Sequence, residues 1–324
     1  CPQTGPGQRH VLIPERSVVM IYSREQPFNK LRPKWNFLFL IILSFFGLIV
    51  VAPMALVVII SFSSEASISN VGYTFVPQEW STEGYQYLFK MGDQVVRSYL
   101  VTIFYSVVGT AMSVAVMAMY AYVLSIKNFW LHKQFTWILF FTMLFGGGLV
   151  PSYILNVRYL HLNDTIWILL LPGLVGAYNV IILRTFITTT IPNALFDAAR
   201  IDGAGHFTIF FKVVLPLFKA GLATVALFTI VGKWNDWFTG MLYIENPNLI
   251  PLQTLLTKLQ NSVDYLKANA AIASTPDGLE YVRNMPRMTL RMACTVIVVV
   301  PILFAYPFFQ RYFISGLTMG SIKE

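Results

Sequence analysis

Residues 37–62 read FLFLIILSFFGLIVVAPMALVVIISF, an apolar segment without a charged side chain. A helix of about 20 apolar residues is long enough to cross a hydrocarbon core roughly 30 Å thick. The buried strands of a soluble protein are much shorter, about 4 to 8 residues between turns. The length of this segment therefore predicts a membrane-spanning helix and argues against a soluble α/β protein.

The rest of the chain repeats this pattern. Of its 324 residues, 56% are hydrophobic and 12% are charged, about half the charged fraction of a soluble domain. The apolar residues gather in long blocks, which predict spans at residues 37–62, 99–125, 135–156, 166–187, 217–242 and 288–314. The sequence thus predicts an all-α membrane protein with six transmembrane helices. Pro53, Pro172 and Pro301 lie inside these spans, where neighbouring helices can satisfy the freed carbonyls.

Charged residues are distributed asymmetrically around the first span. Basic residues precede it and acidic residues follow it: Arg24, Lys30, Arg32 and Lys34, then Glu65, Glu79, Glu83 and Asp93. Because lysine and arginine are enriched in cytoplasmic segments, both termini are expected in the cytoplasm. The expected organisation is a cytoplasmic segment 1–36, an outer loop 63–98 and a cytoplasmic tail 315–324. The net charge of +8 is interpreted as this topology signal, and no nucleic-acid partner is expected.

The loop between the fourth and fifth predicted spans, residues 188–216, is the longest one expected on the cytoplasmic side. Pro192 can open a helix but not continue one, and Thr190 is a candidate cap. Gly203 and Gly205 are expected to end that helix, because glycine tolerates the left-handed backbone found at helix ends. A second apolar stretch follows at 207–214. Two short amphipathic helices joined by a glycine turn predict a docking surface for another protein.

The spacing within this loop resembles the EAA signature of the permease subunits of ABC importers. The matching residues are Asp197-Ala198-Ala199, Gly203 and Val213-Val214-Leu215-Pro216, with Asp197 where the signature usually has glutamate. Residues 198–204 resemble the maltose-type carbohydrate branch of that family, in its oligosaccharide subgroup, which includes alginate-type importers. Further matching segments are Pro172-Gly173 through Tyr178-Asn179, Leu183-Arg184-Thr185-Phe186, Trp234-Asn235-Asp236-Trp237 and residues 306–313. The resemblance covers roughly residue 99 to the C-terminus.

This resemblance implies a type I ABC importer (MetI-like) permease fold with its core at residues 99–314, in the bacterial inner membrane. The loop would be a coupling helix seated in a groove of a cytoplasmic ATPase, with Asp197 paired to a basic residue there. The implied coupling residues are Asp197, Ala198, Ala199, Asp202, Gly203, Leu215 and Pro216. The implied partners are a second permease subunit in a heterodimer, two ATPase subunits and an extracytoplasmic solute-binding protein.

Sequence signatures of catalysis are absent. No segment has the form G-x-x-x-x-G-K-[ST], so the chain lacks a phosphate-binding loop. Gly146, Gly147 and Gly148 lie inside a predicted span, where they permit close helix packing or a local break. The histidines have no i, i+4 pair, and Cys1 and Cys294 offer no metal cluster. We expect no catalytic residue, metal or cofactor in this chain, with ATP and Mg bound by the partner ATPase subunits.

Polar side chains inside predicted spans are costly and tend to face the interior of the helix bundle. The candidates for a substrate pathway are Tyr153, Asn156, Tyr178, Asn179, Trp234, Asn235, Asp236 and Trp237. With Lys233, the last four combine charges and aromatic faces, which suits a sugar. They fit equally well an interfacial anchor with a Lys233–Asp236 ion pair. Arg184 is expected to anchor the cytoplasmic end of the fourth span.

The outer loop 245–287 contains apolar residues at helical spacing from Leu252 to Leu266. They predict an amphipathic helix that lies on the membrane or packs against a partner. The resemblance implies that Ala268 to Gly278 form the tip that reaches the binding protein. The loop is basic, which fits an acidic oligosaccharide such as a uronate chain; its basic residues are Lys258, Lys267, Arg283 and Arg287.

The predicted function is ATP-driven import of a carbohydrate. An ABC importer permease for a non-sugar solute, such as an amino acid, phosphate or a metal, is the alternative that shares the same loop. A secondary transporter or channel would show internal repeats and intramembrane carboxylates. The chain has no clear inverted repeat, and Asp236 is its single clear carboxylate candidate.

Overall fold

The computed structural model describes residues 33–126, 129–268 and 286–320. Helices dominate these residues, which agrees with the helical class predicted from the apolar blocks. In chain order they are α1 (Pro33–Ser61), α2 (Glu65–Val71), α3 (Glu83–Lys90), α4 (Gly92–Ser125), α5 (His132–Leu144), α6 (Leu149–Tyr159), α7 (Ile166–Leu170), α8 (Ala177–Thr190), α9 (Asn193–Ile201), α10 (His206–Leu217), α11 (Lys219–Trp234), α12 (Phe238–Tyr243), α13 (Leu252–Ala268) and α14 (Met288–Gly320). The chain divides into two compact units, residues 1–55 and 56–324.

Two described helices, α1 and α4, are each long and apolar enough to cross a membrane. Two bent pairs meet the same test together: α5 with α6 at 114°, and α10 with α11 at 81°. The last helix contributes a shorter apolar part, Met288–Phe304. By length and composition the described residues therefore hold two to four spans, and the count of six stays a prediction.

Predicted spans three and four are interrupted rather than continuous. Helix α5 ends at Leu144 and α6 begins at Leu149, with Gly148 at a φ of +84°. Of the two roles considered for this glycine run, a local break is the one observed. The fourth span is broken between α7 and α8, where Gly173 has a φ of +72°. Pro172 lies in that break, so its predicted place inside a helix was wrong.

Helix α4 occupies a central position in the second unit and packs against α8 and α11. Its buried face carries small polar residues about one turn apart: Ser98, Thr102, Ser106, Thr110 and Ser113. Small residues allow close approach between helices in a membrane, where apolar burial adds little. The same principle applies between α8 and α11, since a Cβ on Gly221 would lie 2.7 Å from the Phe186 ring.

The segment predicted as the outer loop 63–98 is largely helical, with α2, α3 and the first turns of α4. Glu65 at the start of α2 accepts hydrogen bonds from the backbone N–H groups of Met288 and Thr289, at 3.0 and 3.2 Å. These N–H groups begin α14 and have no partner within the helix. The carboxylate therefore caps α14 and lies near the positive end of its dipole.

Helix α13 confirms the predicted amphipathic helix but not its expected surroundings. Leu252, Leu255 and Leu256 are buried against this chain's own helices, including α4, α12 and α14. The backbone N–H of Leu252 also donates to Thr102 Oγ1 of α4 at 2.8 Å. The described part of this helix thus packs inside its own subunit, because its apolar stripe finds partners there. The expected probing tip beyond Ala268 lies outside the described residues.

Candidate functional site

The predicted docking loop consists of α9, a turn and α10. Pro192 is the N-cap of α9, whereas Thr190 ends α8, so the predicted cap at Thr190 was wrong. No residue of α9 is buried. Asp197 Oδ1 lies 3.6 Å from Arg200 Nη1, and their side chains are 68% and 43% exposed. Such exposed pairs typically contribute only about 0.2–1 kcal/mol, so Asp197 remains available to a partner.

The turn after α9 has the hydrogen bonds of a Schellman motif. Gly203 has a φ of +78°. Its N–H donates to the Arg200 carbonyl at 3.0 Å, and the Ala204 N–H donates to the Ala199 carbonyl at 2.9 Å. An added Cβ on Gly203 would meet nothing within 4 Å. Glycine is therefore required here for its backbone conformation, and space is not the constraint.

The second half of the loop is anchored in the core. Ile209, Phe210 and Val214 of α10 are buried. Phe210 packs on Tyr122 of α4 with ring centroids 5.3 Å apart, and Tyr122 Oη is 3.3 Å from His206 Nδ1. The loop thus exposes its first helix and fastens its second helix to α4.

Of the predicted coupling residues, Ala199 and Leu215 are partly buried against the core. The remaining ones are exposed: Asp197, Ala198, Asp202, Gly203 and Pro216. Two large apolar side chains flank the turn, Ile201 at 86% and Phe207 at 78% exposure. Both side chains are therefore open to contact by another surface.

Arg184, which was expected to anchor the cytoplasmic end of the fourth span, lies inside α8 and contacts the end of α4. Its Nε donates to the Leu124 carbonyl at 3.2 Å, and His132 Nε2 lies 3.0 Å from the same oxygen. Leu124 is in the last turn of α4, where carbonyl groups lack helical partners and basic groups are favourable. Arg184 and His132 therefore cap α4.

A cavity of about 530 Å³ lies between α4, the break before α8, and α11. Its walls carry both polar and aromatic side chains, among them Tyr105, Asn179, Phe228, Lys233 and Asp236. Ligand sites commonly combine an apolar wall with a few convergent polar groups. The cavity is the candidate substrate site.

Lys233 and Asp236 have different neighbours in this cavity. Asp236 Oδ2 accepts a hydrogen bond from Tyr105 Oη at 3.1 Å, and Oδ1 accepts one from the Thr239 N–H at 3.0 Å. Lys233 Nζ lies 4.9 Å from the centroid of the Tyr105 ring, within the usual range of a cation–π contact. Among the described residues the two charges form no ion pair within 4.0 Å, so the expected Lys233–Asp236 pair is absent there.

The eight predicted pathway residues do not form one site. Asn179 and Asp236 line the cavity. Tyr153 instead stacks on Tyr243 at 5.6 Å, and Asn156 Nδ2 is 3.3 Å from the Tyr243 hydroxyl.

The other four predicted pathway residues lie elsewhere. Trp234 donates its indole N–H to the Val298 carbonyl at 3.1 Å, which fixes it against α14. Asn235 donates to the Val231 carbonyl at 3.0 Å. Tyr178 and Trp237 are exposed. Sequence reasoning missed Tyr105 and Thr239, because a lone tyrosine or threonine within an apolar block carries no distinguishing pattern.

Comparison with known proteins places these features in a class of membrane transport subunits. Residues 126–318 match the family described as binding-protein-dependent transport system inner membrane component. The match spans more than half of the chain, and the chain belongs to this family. It is therefore a transport subunit of the inner membrane and is not an enzyme by itself, as the resemblance of the docking loop predicted.

Individual relatives share most of the chain. The polygalacturonan/rhamnogalacturonan transport system permease protein YtcP of Bacillus subtilis is 34% identical over 281 residues, which is 86% of this chain and 94% of that protein. The arabinooligosaccharides transport system permease protein AraQ of Halalkalibacterium halodurans is 27% identical, over 91% of this chain and 99% of that protein. A solved bacterial ABC transporter involved in the import of the acidic polysaccharide alginate matches with a TM-score of 0.71 and 29% identity. That match covers 86% of this chain and 96% of the solved chain.

Proposed function

We propose that this chain is one permease subunit of an ATP-driven importer for oligosaccharides delivered by an extracytoplasmic binding protein. The observation that carries the proposal is the docking loop, with its exposed α9 and its Schellman turn at Gly203. Such a loop has no evident use in a chain that works alone. The names of the relatives, which specify polygalacturonan, arabinooligosaccharides and alginate, support a carbohydrate as cargo.

The proposed assembly has four further subunits or partners. A second permease subunit forms a heterodimer with this chain, two ATPase subunits bind ATP and Mg in the cytoplasm, and the binding protein docks outside. In the proposed topology the chain has six spans and both termini in the cytoplasm, so that α9 faces the ATPase. The exposed side chains of Asp197, Ile201 and Phe207 are the surface offered to the ATPase.

Energy reaches the cavity through α4 in this proposal. Movement of the docked α9 is carried to α10, and the contact of Phe210 with Tyr122 transfers it to α4. The same helix contributes Tyr105 to the cavity wall. A displacement of the loop therefore changes the shape of the candidate substrate site.

The proposed cargo is a uronate-containing oligosaccharide. Two of the compared transporters carry names that specify acidic sugar polymers, polygalacturonan and alginate. The cavity adds support, since Phe228 offers an aromatic face to a sugar ring and Asn179 offers an amide to its hydroxyls. An aromatic wall with a few polar groups is usual in sites for small molecules.

The test is reconstitution of the importer in proteoliposomes with its two ATPase subunits, second permease and binding protein. We expect uptake of labelled trigalacturonate that requires both ATP and the binding protein. Asp197→Lys should reduce ATPase co-purification and uptake about tenfold, because it reverses the charge that faces the partner. Glu83→Lys, an exposed charge reversal on α3, is the control and should change neither.

Two results would contradict the proposal. Uptake that proceeds without ATP would return the chain to the class of secondary transporters or channels. ATP-dependent uptake of an amino acid, phosphate or a metal, with no uptake of any oligosaccharide, would favour the non-sugar importer instead.

A further inference from the structure

Lys233 is a charged residue in an unusual position. Its side chain is only 8% exposed although it belongs to the apolar helix α11. Charged residues within membrane-spanning segments are costly and are typical of functional positions. Gly109 of α4 makes room for it, since a Cβ there would lie 3.0 Å from both Cδ and Cε of Lys233.

The ammonium group of Lys233 has unused hydrogen-bonding capacity. Within the described ranges, Nζ has no hydrogen-bond acceptor and no carboxylate within 4.0 Å. The Tyr105 ring lies 4.9 Å from Nζ, and a ring face accepts none of its N–H groups in a strong hydrogen bond. Three donors therefore remain for a group that enters the cavity.

The nearby acid is already engaged. Each oxygen of the Asp236 carboxylate accepts a hydrogen bond, from Tyr105 Oη and from the Thr239 N–H. These two donors hold the carboxylate and partly compensate its charge. The cavity thus presents a cation with free donors beside an anion whose two oxygens are already bonded.

We propose that Lys233 binds the carboxylate of a uronate residue as the oligosaccharide passes through the cavity. The proposal rests on the proposed function and names the residue that distinguishes acidic from neutral cargo. A carboxylate both neutralises the ammonium and accepts its hydrogen bonds, and this interaction is stronger in a poorly solvated site. A neutral hydroxyl offers the hydrogen bond alone.

The experiment compares two probes of the same size, trigalacturonate and its fully methyl-esterified form. Maximal uptake rates are measured in proteoliposomes with a saturating concentration of loaded binding protein. Under this condition the affinity of the binding protein for each probe does not affect the measured rate. Lys233→Met removes the charge and keeps most of the side-chain volume. We expect it to lower the ratio of acid to ester uptake at least tenfold, and Lys233→Arg to retain most of that ratio.

Lys219→Met is the matched control. It makes the same substitution on the same helix, at a position that is exposed and outside the cavity. The ratio of acid to ester uptake should not change. Co-purification of the ATPase subunits is recorded for every variant and reports assembly.

Gly109→Ala keeps the test decisive if Lys233→Met fails to assemble. The added methyl group displaces the Lys233 side chain by a few tenths of an ångström and leaves its charge in place. We expect a smaller fall of the same ratio, about threefold.

Four results would overturn the proposal. Equal losses of acid and ester uptake in Lys233→Met would assign Lys233 to helix packing. No loss of either uptake in Lys233→Met, or an unchanged ratio in Gly109→Ala where Lys233→Met does not assemble, would exclude contact with the carboxylate. If the wild-type importer takes up neutral arabino-oligosaccharides and neither galacturonate probe, the role of Lys233 is rejected and oligosaccharide import still stands. If no oligosaccharide is taken up in an ATP-dependent way, both the role of Lys233 and the proposed function are rejected.

Discussion

The roles of single residues in this chain follow from what each polar atom contacts. Lys233 and Asp236 are three positions apart, a spacing that favours an ion pair on a regular helix. Helix α11 ends at Trp234, so Asp236 is no longer on its surface and bonds to Tyr105 of α4 instead. Because the helix ends between Lys233 and Asp236, the ion pair that their spacing predicts does not form.

Gly203 allows a prediction at the scale of a residue. Gly203→Val should uncouple ATP hydrolysis from uptake, because a β-branched residue disfavours a φ of +78° by about 1–2 kcal/mol or more. The measurement is ATPase activity stimulated by the loaded binding protein, with membrane insertion checked by fractionation.

Gly203→Asn is the control for that variant. Asparagine tolerates the left-handed conformation, and a Cβ at this position meets no atom within 4 Å in the chain. Normal coupling in Gly203→Asn and lost coupling in Gly203→Val would establish a conformational requirement. Lost coupling in both variants would mean that the ATPase contacts the backbone at this position and tolerates no side chain. Normal uptake by Gly203→Val would refute the docking role of the turn.

At the scale of elements, the ends of helices organise this molecule. Arg184 and His132 cap the C-terminus of α4, and Glu65 caps the N-terminus of α14. Arg184 and Glu65 join segments that are 60 and 223 positions apart in sequence, whereas His132 lies only 8 positions after Leu124. In an apolar environment an unpaired backbone group has no water to bond, so such caps contribute to the fold more than they would at an exposed helix end.

The contribution of the Glu65 cap to stability can be tested by substitution. Glu65→Ala should lower the thermal unfolding midpoint of the purified complex, since it leaves the first N–H groups of α14 without acceptors. Losing such a cap lowers the free energy of unfolding by about 1–2 kcal/mol. Glu65→Gln retains an acceptor oxygen without the charge and should give an intermediate loss. Equal midpoints for all three proteins would show that the cap does not contribute to stability.

At the scale of the whole molecule, α4 connects the two candidate sites. It contacts the docking loop through Tyr122 and lines the cavity through Tyr105 and Met117. The two candidate sites therefore share one element, and we propose that a displacement of the docking loop reaches the cavity along it.

This link predicts the effect of a small change in the contact between α10 and α4. Phe210→Leu should leave ATPase binding intact and reduce uptake per ATP hydrolysed several-fold, because the buried ring of Phe210 packs on Tyr122. Phe211→Leu changes the neighbouring ring, which is 56% exposed, and should leave the ratio unchanged. The ratio of sugar transported to phosphate released is the measurement, and equal ratios in both variants would contradict the link through α4.

The amino-acid sequence by itself determined the membrane class, the position of the docking loop and its glycine turn. Each of these depends on local properties: the length of an apolar run, or the backbone conformation that one glycine permits. The helix of the loop begins at Asn193 and turns at Gly203, close to where the pattern predicts. The family follows from the same loop, because its spacing is specific.

Only the tertiary structure decided which polar residues share a cavity. Tyr105 and Asp236 are hydrogen-bonded although 131 positions separate them, and nothing local in either segment indicates the other. The same holds for α13, whose apolar stripe suits a membrane surface and yet is buried against α4 through Leu252 and Thr102. Hydrophobic periodicity shows that a face will be covered and cannot show by what, since the covering surface is built from distant parts of the chain.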